Sequence, residues 1–314
     1  MLESIVVQAT DDCEIVVLDG ASTDDTERVV LECQRGCDKL RYIRQETNGG
    51  VDRDIDRVVQ LAKGEYCWLV PDDDLMKLGA IASVLEALRG GYSLVVVNVE
   101  VKDLSMSTVL VPNFLKIGAD RVYHPSDMDS LFEKCGWELG YLGCLVIRRA
   151  IWLQRETSRY YGSYFVHIGV VFQKPLPGPA LMMAKPVISV RSGNQSWLTW
   201  AFEIAMIKWP SLAWSFPLSE RVKRKACSAR RWNRLAYLIL ARARGKYSLI
   251  VYRQSFRPRL WSYWQRLIHT IIALLPPMIA KVVSYVLFPS FTRVLGNKIG
   301  ATKGARKNKF QIEG

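Results

Sequence analysis

The sequence has no Cys-x-x-Cys pair and only three histidines in 314 residues. A zinc ribbon, a zinc finger or a His-rich metal cage is therefore not expected. Its seven cysteines are an odd number. Cys33 and Cys37 are the closest pair, at a spacing that suits one helix face, and reduced, structural thiols in a cytosolic setting are the expectation. The opening "MLESIVVQATDD" lacks the basic-then-apolar pattern of a secretory leader. No internal repeat or low-complexity segment occurs, so a solenoid is excluded. No long apolar run goes uninterrupted. The longest, "LWSYWQRLIHTIIALLPPMIAKVVSYVLF", is broken by His269, Pro276, Pro277 and Lys281, which argues against a clean spanning helix. Acids are scarce in the last third. From Pro217 onward there are two, Glu220 and Glu313, against 21 Lys and Arg, whereas the residues before it hold 28 acids and 22 bases. The net charge of +13 thus belongs to the tail.

What remains is globular composition, 49% hydrophobic and 11% aromatic, enough for one large domain with an appendage. "CEIVVLDG" is a compact β-branched run closed by Asp-Gly, a buried strand. "STDDTERVVLECQRG" follows as a helix, with Asp24 and Glu27 as a capping box and Val29, Val30 and Cys33 facing inward. "LRYIRQ" is a second strand. "GGVDRDIDRVVQLAKG" is a helix with Ile55, Val58, Val59 and Ala62 inward. "EYCWLV" is a strand, "KLGAIASVLEALRGG" a helix and "YSLVVVNVEV" a strand. This alternation predicts βαβ units, hence an α/β fold with a mostly parallel sheet flanked by helices. After Val101 the pattern loosens. "PSDMDSLFEKCGWELGYLGCLVIRRAIW" reads as helix, Gly-rich turn, strand and helix start, and "KPVISVRSGNQSW" as a strand running into a polar loop. From Trp209 helix signals dominate, mixed with Arg-rich patches.

Ligands of open α/β sheets bind beyond the carboxyl ends of the strands. Asp19 ends one strand, and Asp72, Asp73 and Asp74 follow another. A solvated turn with a helix N-cap accounts for one such Asp but poorly for three. A hard divalent cation, Mg²⁺ or Mn²⁺, held by one or two carboxylates and shared with substrate phosphates accounts for them better. Asp19 alone is as readily a turn residue; beside a triple acid it favours a nucleotide.

"EIVVLDGASTDDT" and "NGGVDRDIDRVVQLAKGEYCWLVPDDDL" resemble the nucleotide-binding half of a family 2, GT-A-fold glycosyltransferase. "GGVDRD", "GEYCWL", "DDDLMKLGAI" and "RSGNQSW" are most similar to its abequosyltransferase-like group, which transfers dideoxy or related sugars in bacterial O-antigen assembly. The likeness covers roughly residues 1–200. It implies a Rossmann-like catalytic domain, a nucleotide-sugar donor and a divalent metal. By this resemblance Asp19, with Ser22, contacts the nucleoside; Arg53 meets the base or diphosphate; Asp72 to Asp74 are the metal and ribose carboxylates of the DxD motif. Many relatives read Asp-x-Asp-Asp, with Pro71 here in place of the first Asp, so the resemblance does not fix which two bind metal. Where relatives place an acidic base, "YYGSYFVHIGVVF" offers only His167, which is as readily a core residue. Glu138 in "CGWELGYLG" is the alternative base. Arg191, Asn194 and Trp197 in "RSGNQSW" form a lid over the diphosphate or a plain polar loop.

The tail "RVKRKACSARRWNRLAYLILARARGK" interleaves Arg and Lys with Trp232, Leu235, Tyr237 and Leu238 ahead of the broken apolar run. Basic and aromatic residues flanking apolar helices suit an anionic bilayer surface, whereas a nucleic-acid surface would not need the apolar run. The expectation is a catalytic domain over 1–210 and a basic helical region over 211–314, a peripheral protein at the cytoplasmic face of the inner membrane acting on a lipid-linked saccharide. Two rivals stand: a nucleotidyltransferase, which would usually carry an early Gly-rich basic phosphate loop not seen here, and a binding-only descendant. Family 2 enzymes also open with a strand ahead of the helix that "LESIVVQ" resembles, roughly 15–20 residues. The chain as numbered is expected to be a shortened reading of a longer product, lacking one wall of the base pocket.

Overall fold

The computed structural model describes residues 1–193, 203–227, 231–257, 260 and 262–287. The chain divides into two compact units. One comprises Met1–Ser192 with Leu212–Ala226, the other Gly193–Ser211 with Cys227–Gly314.

The first unit holds nine strands. After a short helix α1 (Leu2–Val6), β1 (Ile15–Asp19), α2 (Thr26–Arg35), β2 (Leu40–Arg44) and α3 (Val51–Leu61) follow as the alternation requires. β3 (Tyr66–Trp68), β4 (Leu75–Met76), α4 (Ala80–Leu88) and β5 (Leu94–Lys102) come next. β6 (Val109–Val111), β7 (Arg121–Tyr123), α5 (Met128–Cys135), β8 (Leu145–Arg148), α6 (Arg149–Leu153), α7 (Val166–Phe172) and β9 (Ala180–Arg191) complete the set. β1 and β2 pair in parallel as a two-stranded sheet. The other seven form one sheet with the path β3-β8-β5-β9-β4, β6 on β5 and β7 on β9.

The α/β class stands, but the expectation of a mostly parallel sheet does not. Among the described residues only β1–β2 and β5–β9 are parallel, while β3–β8, β4–β9, β5–β6, β5–β8 and β7–β9 are antiparallel. The physical reason lies after Val101. The connections there are turns, 3-10 segments and short helices rather than full crossover helices, and β8 inserts antiparallel between β3 and β5.

β5 is the centre of the core. Leu94, Val95, Val96 and Val97 are fully enclosed, as a continuous apolar run should be when both faces are covered. Asn98 interrupts it, and its amide is fully satisfied. Nδ2 donates to Asn113 Oδ1 (2.8 Å) and to the Ala184 carbonyl (2.6 Å), and Oδ1 accepts from the Val99 and Leu115 amides. Two helix details differ from the sequence reading. Asp24 bonds the Thr26 amide and hydroxyl, two residues on, Glu27 pairs with Arg44, and the N-cap of α2 is Asp25. Val29 is exposed, and Val30 alone of α2 is buried.

In α3 the pattern "VDRDIDRV" buries two acids with the apolar face. Asp52 accepts from the Tyr164 and Val166 amides at the start of α7 (2.8 and 3.0 Å). Asp56 accepts from Trp152 Nε1 (2.7 Å), Thr157 Oγ1 (2.9 Å) and Tyr161 OH (2.6 Å). These carboxylates fasten α3 to α6 and α7.

Residues 212–226 return to this unit. Phe216 stacks against Phe132 and Phe172 (ring centroids 5.7 and 5.8 Å), Val222 is wholly buried, and Glu133 pairs with Arg221 and Lys225.

In the second unit the helices Arg231–Ala243, Tyr263–Leu274 and Pro277–Leu287 share a core of Leu238, Ile239, Tyr247, Tyr252, Phe256, Ile272, Ala273 and Ala280. Among the described residues no single helix is long and apolar enough to cross a membrane; Tyr263–Leu274 and Pro277–Leu287 form a pair bent by 115°. All seven cysteines are free thiols.

Candidate nucleotide and carboxylate site

The turn after β1 is built around Asp19. Its Oδ1 accepts from the Ser22 amide (2.7 Å), its Oδ2 accepts from Tyr42 OH (2.6 Å), and Arg44 Nε lies 3.9 Å away. Burial raises the Asp19 pKa, but these hydrogen bonds and the Arg44 charge outweigh it, so the net shift is downward. Ala21 adopts a left-handed backbone (φ 65°), a conformation costly for a residue with a Cβ. A Cβ on Gly20 would meet Asp54 Oδ2 at 2.8 Å, so glycine lets α3 approach the strand end.

The Asp19 side chain has no exposed surface. It organises the turn and presents no free carboxylate edge to a base. Ser22, half-buried, gives its amide to Asp19 and its carbonyl to Arg44. Arg53 is exposed at the start of α3, 3.3 Å from the Gly49 carbonyl and over the Tyr161 ring at 5.2 Å.

The triple acid divides by depth: Asp72 is exposed, Asp73 half-buried and Asp74 buried. Asp74 Oδ2 accepts from Tyr141 OH (2.5 Å) and Oδ1 from the Arg191 amide (2.7 Å). Burial pushes its pKa up; the two hydrogen bonds act the other way. Arg191 turns its side chain onto backbone, Nε to the Asp73 carbonyl (3.0 Å) and Nη1 to the Leu104 carbonyl (2.7 Å). Through these contacts it braces the turn. Among the described residues no three His, Cys, Asp or Glu side chains converge as a ready metal cage. The donor set still suits a hard cation that takes one or two carboxylates and fills its shell with phosphate and water oxygens. Asp74, expected as a metal ligand, is here a buried tie with both carboxylate oxygens engaged, while Asp72 and Asp73 lie nearer the surface.

His167 is corrected too. It lies in the packed interior of α7 with Nε2 against the Leu139 carbonyl (2.9 Å) and Nδ1 without a partner. Burial lowers its pKa to about 4. A ring enclosed there meets no acceptor hydroxyl. Glu138 is half-buried at the start of the 3-10 turn leading to Tyr141, and burial raises its pKa, the direction that suits a general base. The fully buried thiols Cys135 and Cys144 lie close enough to feel the Glu138 charge, and Cys144 that of Asp74; burial keeps both thiols protonated. Asn194 and Trp197 lie outside the described residues.

Sequence reasoning missed Tyr42, Arg44, Asp54, Tyr141 and Tyr161. No motif marks them, because each is recruited by tertiary contact.

A mixed sheet with an acidic turn beyond its strand ends, flanked by helices, is the GT-A fold. A crystal structure of S. aureus TarS 1–349 matches it with a TM-score of 0.51 at 15% identity, over 99% of this chain and 88% of that one. Residues 1–134 match the Glycosyl transferase family 2 model. Abequosyltransferase RfbV of Salmonella typhimurium is 24% identical over 200 residues, covering 59% of each chain. The GalNAc(5)-diNAcBac-PP-undecaprenol beta-1,3-glucosyltransferase of Campylobacter jejuni is 32% identical over 97 residues, 29% of this chain and 30% of that one. The chain thus spans 59% and 30% of the lengths of these two relatives.

Proposed function

We propose that the protein is a glycosyltransferase that moves a sugar from a nucleotide-sugar donor to a saccharide acceptor in bacterial surface polysaccharide synthesis. The observation that carries this reading is the acidic turn of a family 2 domain, with Asp72 and Asp73 outermost and Asp74 tied down behind them. A divalent cation, Mn²⁺ or Mg²⁺, bound by Asp72 and Asp73 would neutralise the diphosphate leaving group. Arg53, exposed at the start of α3, meets the base or diphosphate. In the transfer, the acceptor oxygen bonds to the anomeric carbon, the bond to the diphosphate breaks, and the hydroxyl proton passes to Glu138.

The acceptor proposed is lipid-linked, supported by the polyprenol in the name of the Campylobacter relative. Residues 1–192 with 212–226 would serve catalysis and the basic helical residues from 227 onward a membrane surface, in place of a single division at 210/211. On the bent helix pair Trp264, Ile271, Leu274, Met278, Val282 and Val286 are exposed. That apolar face in a strongly basic third of the chain suits the surface of an anionic bilayer, here the cytoplasmic face of the inner membrane. Incubation with nucleotide sugars and scoring of hydrolysis or transfer tests the activity. A binding-only descendant is the second reading, favoured by the burial of His167, which removes one of the two candidate bases; binding without turnover would select it.

A further inference from the structure

The acidic turn is held by two segments far from it in sequence. Tyr141 follows the 3-10 turn Glu138–Gly140, and its hydroxyl reaches Asp74 Oδ2 at 2.5 Å. Arg191 ends β9; its amide reaches Asp74 Oδ1 at 2.7 Å, and its Nε reaches the Asp73 carbonyl at 3.0 Å. Trp68, at the end of β3, donates from Nε1 to the Gly143 carbonyl at 2.9 Å. Side chains on both sides of the turn, Trp68 before it and Asp74 at its end, are therefore tied to the Tyr141–Gly143 segment.

Gly143 shows that the position of the tyrosine ring is built in. A Cβ at that residue would stand 2.5 Å from the Tyr141 oxygen and 2.7 Å from two of its ring carbons. Only glycine leaves the ring room to lie where it does. Tyr141 itself is half-buried, and burial beside Asp74 keeps the phenol protonated as a donor. Asp74, with each carboxylate oxygen engaged, cannot rotate without losing a hydrogen bond in a buried setting, which is costly.

We propose that Tyr141 is a positioning residue for the cation site. Its hydroxyl, opposed by the Arg191 amide, locks Asp74 and so fixes the backbone from which Asp72 and Asp73 project. This rests on the proposed nucleotide-and-cation reading and extends it to a residue that touches neither ligand. Groups that orient metal-binding carboxylates typically contribute about 10–100-fold to metal affinity.

The test uses the full chain with Mn²⁺ and whichever of UDP, GDP, CDP, dTDP and ADP binds it most tightly. Mn²⁺ affinity is read by electron paramagnetic resonance, and amide exchange is followed at Arg191 by NMR. Tyr141→Phe should weaken Mn²⁺ binding about 10-fold or more, leave metal-free nucleotide affinity unchanged and speed exchange at Arg191. Gly143→Ala, which displaces the ring but keeps the hydroxyl, should also weaken Mn²⁺ binding and is the second variant should the first be poorly folded. Parent-like Mn²⁺ affinity in folded variants would overturn the role of Tyr141 while leaving the proposed function intact. Absence of Mn²⁺-dependent nucleotide binding in the parent would overturn the cation reading and this inference with it.

Discussion

The two units use their polar and apolar groups in opposite ways. In the first, charge is turned inward and given partners. Asp19, Asp52, Asp56 and Asp74 are all buried, and every one accepts at least two hydrogen bonds from named groups. In the second, apolar side chains are turned outward, along Tyr263–Leu274 and Pro277–Leu287. A buried carboxylate with fixed partners is a device for geometry, since losing one partner strands the others. An outward apolar face is a device for an environment less polar than water. The difference separates a region whose mutations should be read in stability and ligand affinity from one whose mutations should be read in partitioning.

The comparison can be broken most forcefully at the segment that returns to the first unit. Phe216 is buried among Phe132, Phe172 and Tyr160, so Phe216→Ala should destabilise the protein by about 3–5 kcal/mol in urea unfolding. Because it removes the buried Leu218 and Val222 and the Arg221 and Lys225 partners of Glu133, a truncation at Pro217 should lower the melting temperature, whereas one after Ala226 should retain a cooperative transition. Equal behaviour of the two truncations would show that residues 217–226 contribute no packing.

A smaller effect is expected in the second unit, and in a different observable. Ile271→Ser, Met278→Ser and Val282→Ser combined should weaken binding to anionic vesicles by about 100-fold, from lost apolar burial in the bilayer. Unfolding free energy should change little, because all three side chains are exposed. High salt should weaken vesicle binding of the parent without abolishing it, since screening acts on the charge alone. Vesicle binding unaffected by the triple change would leave the exposed face without this role.

The smallest effect concerns Asp19. Its folded-state pKa lies below the ordinary value because the Ser22, Tyr42 and Arg44 contacts outweigh burial. The stability it contributes is therefore fully present above the unfolded pKa of about 4 and is lost as pH falls through the folded value. Asp19→Asn should be destabilising at pH 7, and its difference from the parent should shrink progressively below about pH 4 in urea titrations. A difference that stays constant to pH 2 would mean that the carboxylate charge is not what holds the turn.

How much of this could be read in the sequence depends on the range of the interactions. β1, α2, β2, α3 and β5 follow from apolar runs, periodicity and turn residues, all local signals. The direction of β8 is not local. "LGCLVIRR" reads as a strand, but nothing in it says that it lies antiparallel between β3 and β5. The acids of the site were visible as residue types at strand ends. Their depth was not, because Asp74 is buried by Tyr141 and Arg191 from 67 and 117 residues away. His167 misled because a lone histidine in an apolar segment carries no signal of exposure; the packing of α7 decided it.

The central claim is that the acidic turn of the first unit takes a nucleoside diphosphate together with a divalent cation. Calorimetric titration of the full chain with UDP, GDP, CDP, dTDP and ADP, with and without Mn²⁺, tests it most directly. The account predicts that at least one binds about 10-fold or more tightly with Mn²⁺, and that Asp72→Asn and Asp73→Asn each remove the increment without altering the fold. Equal affinity with and without Mn²⁺ in the parent protein, for every nucleotide that binds, would contradict it.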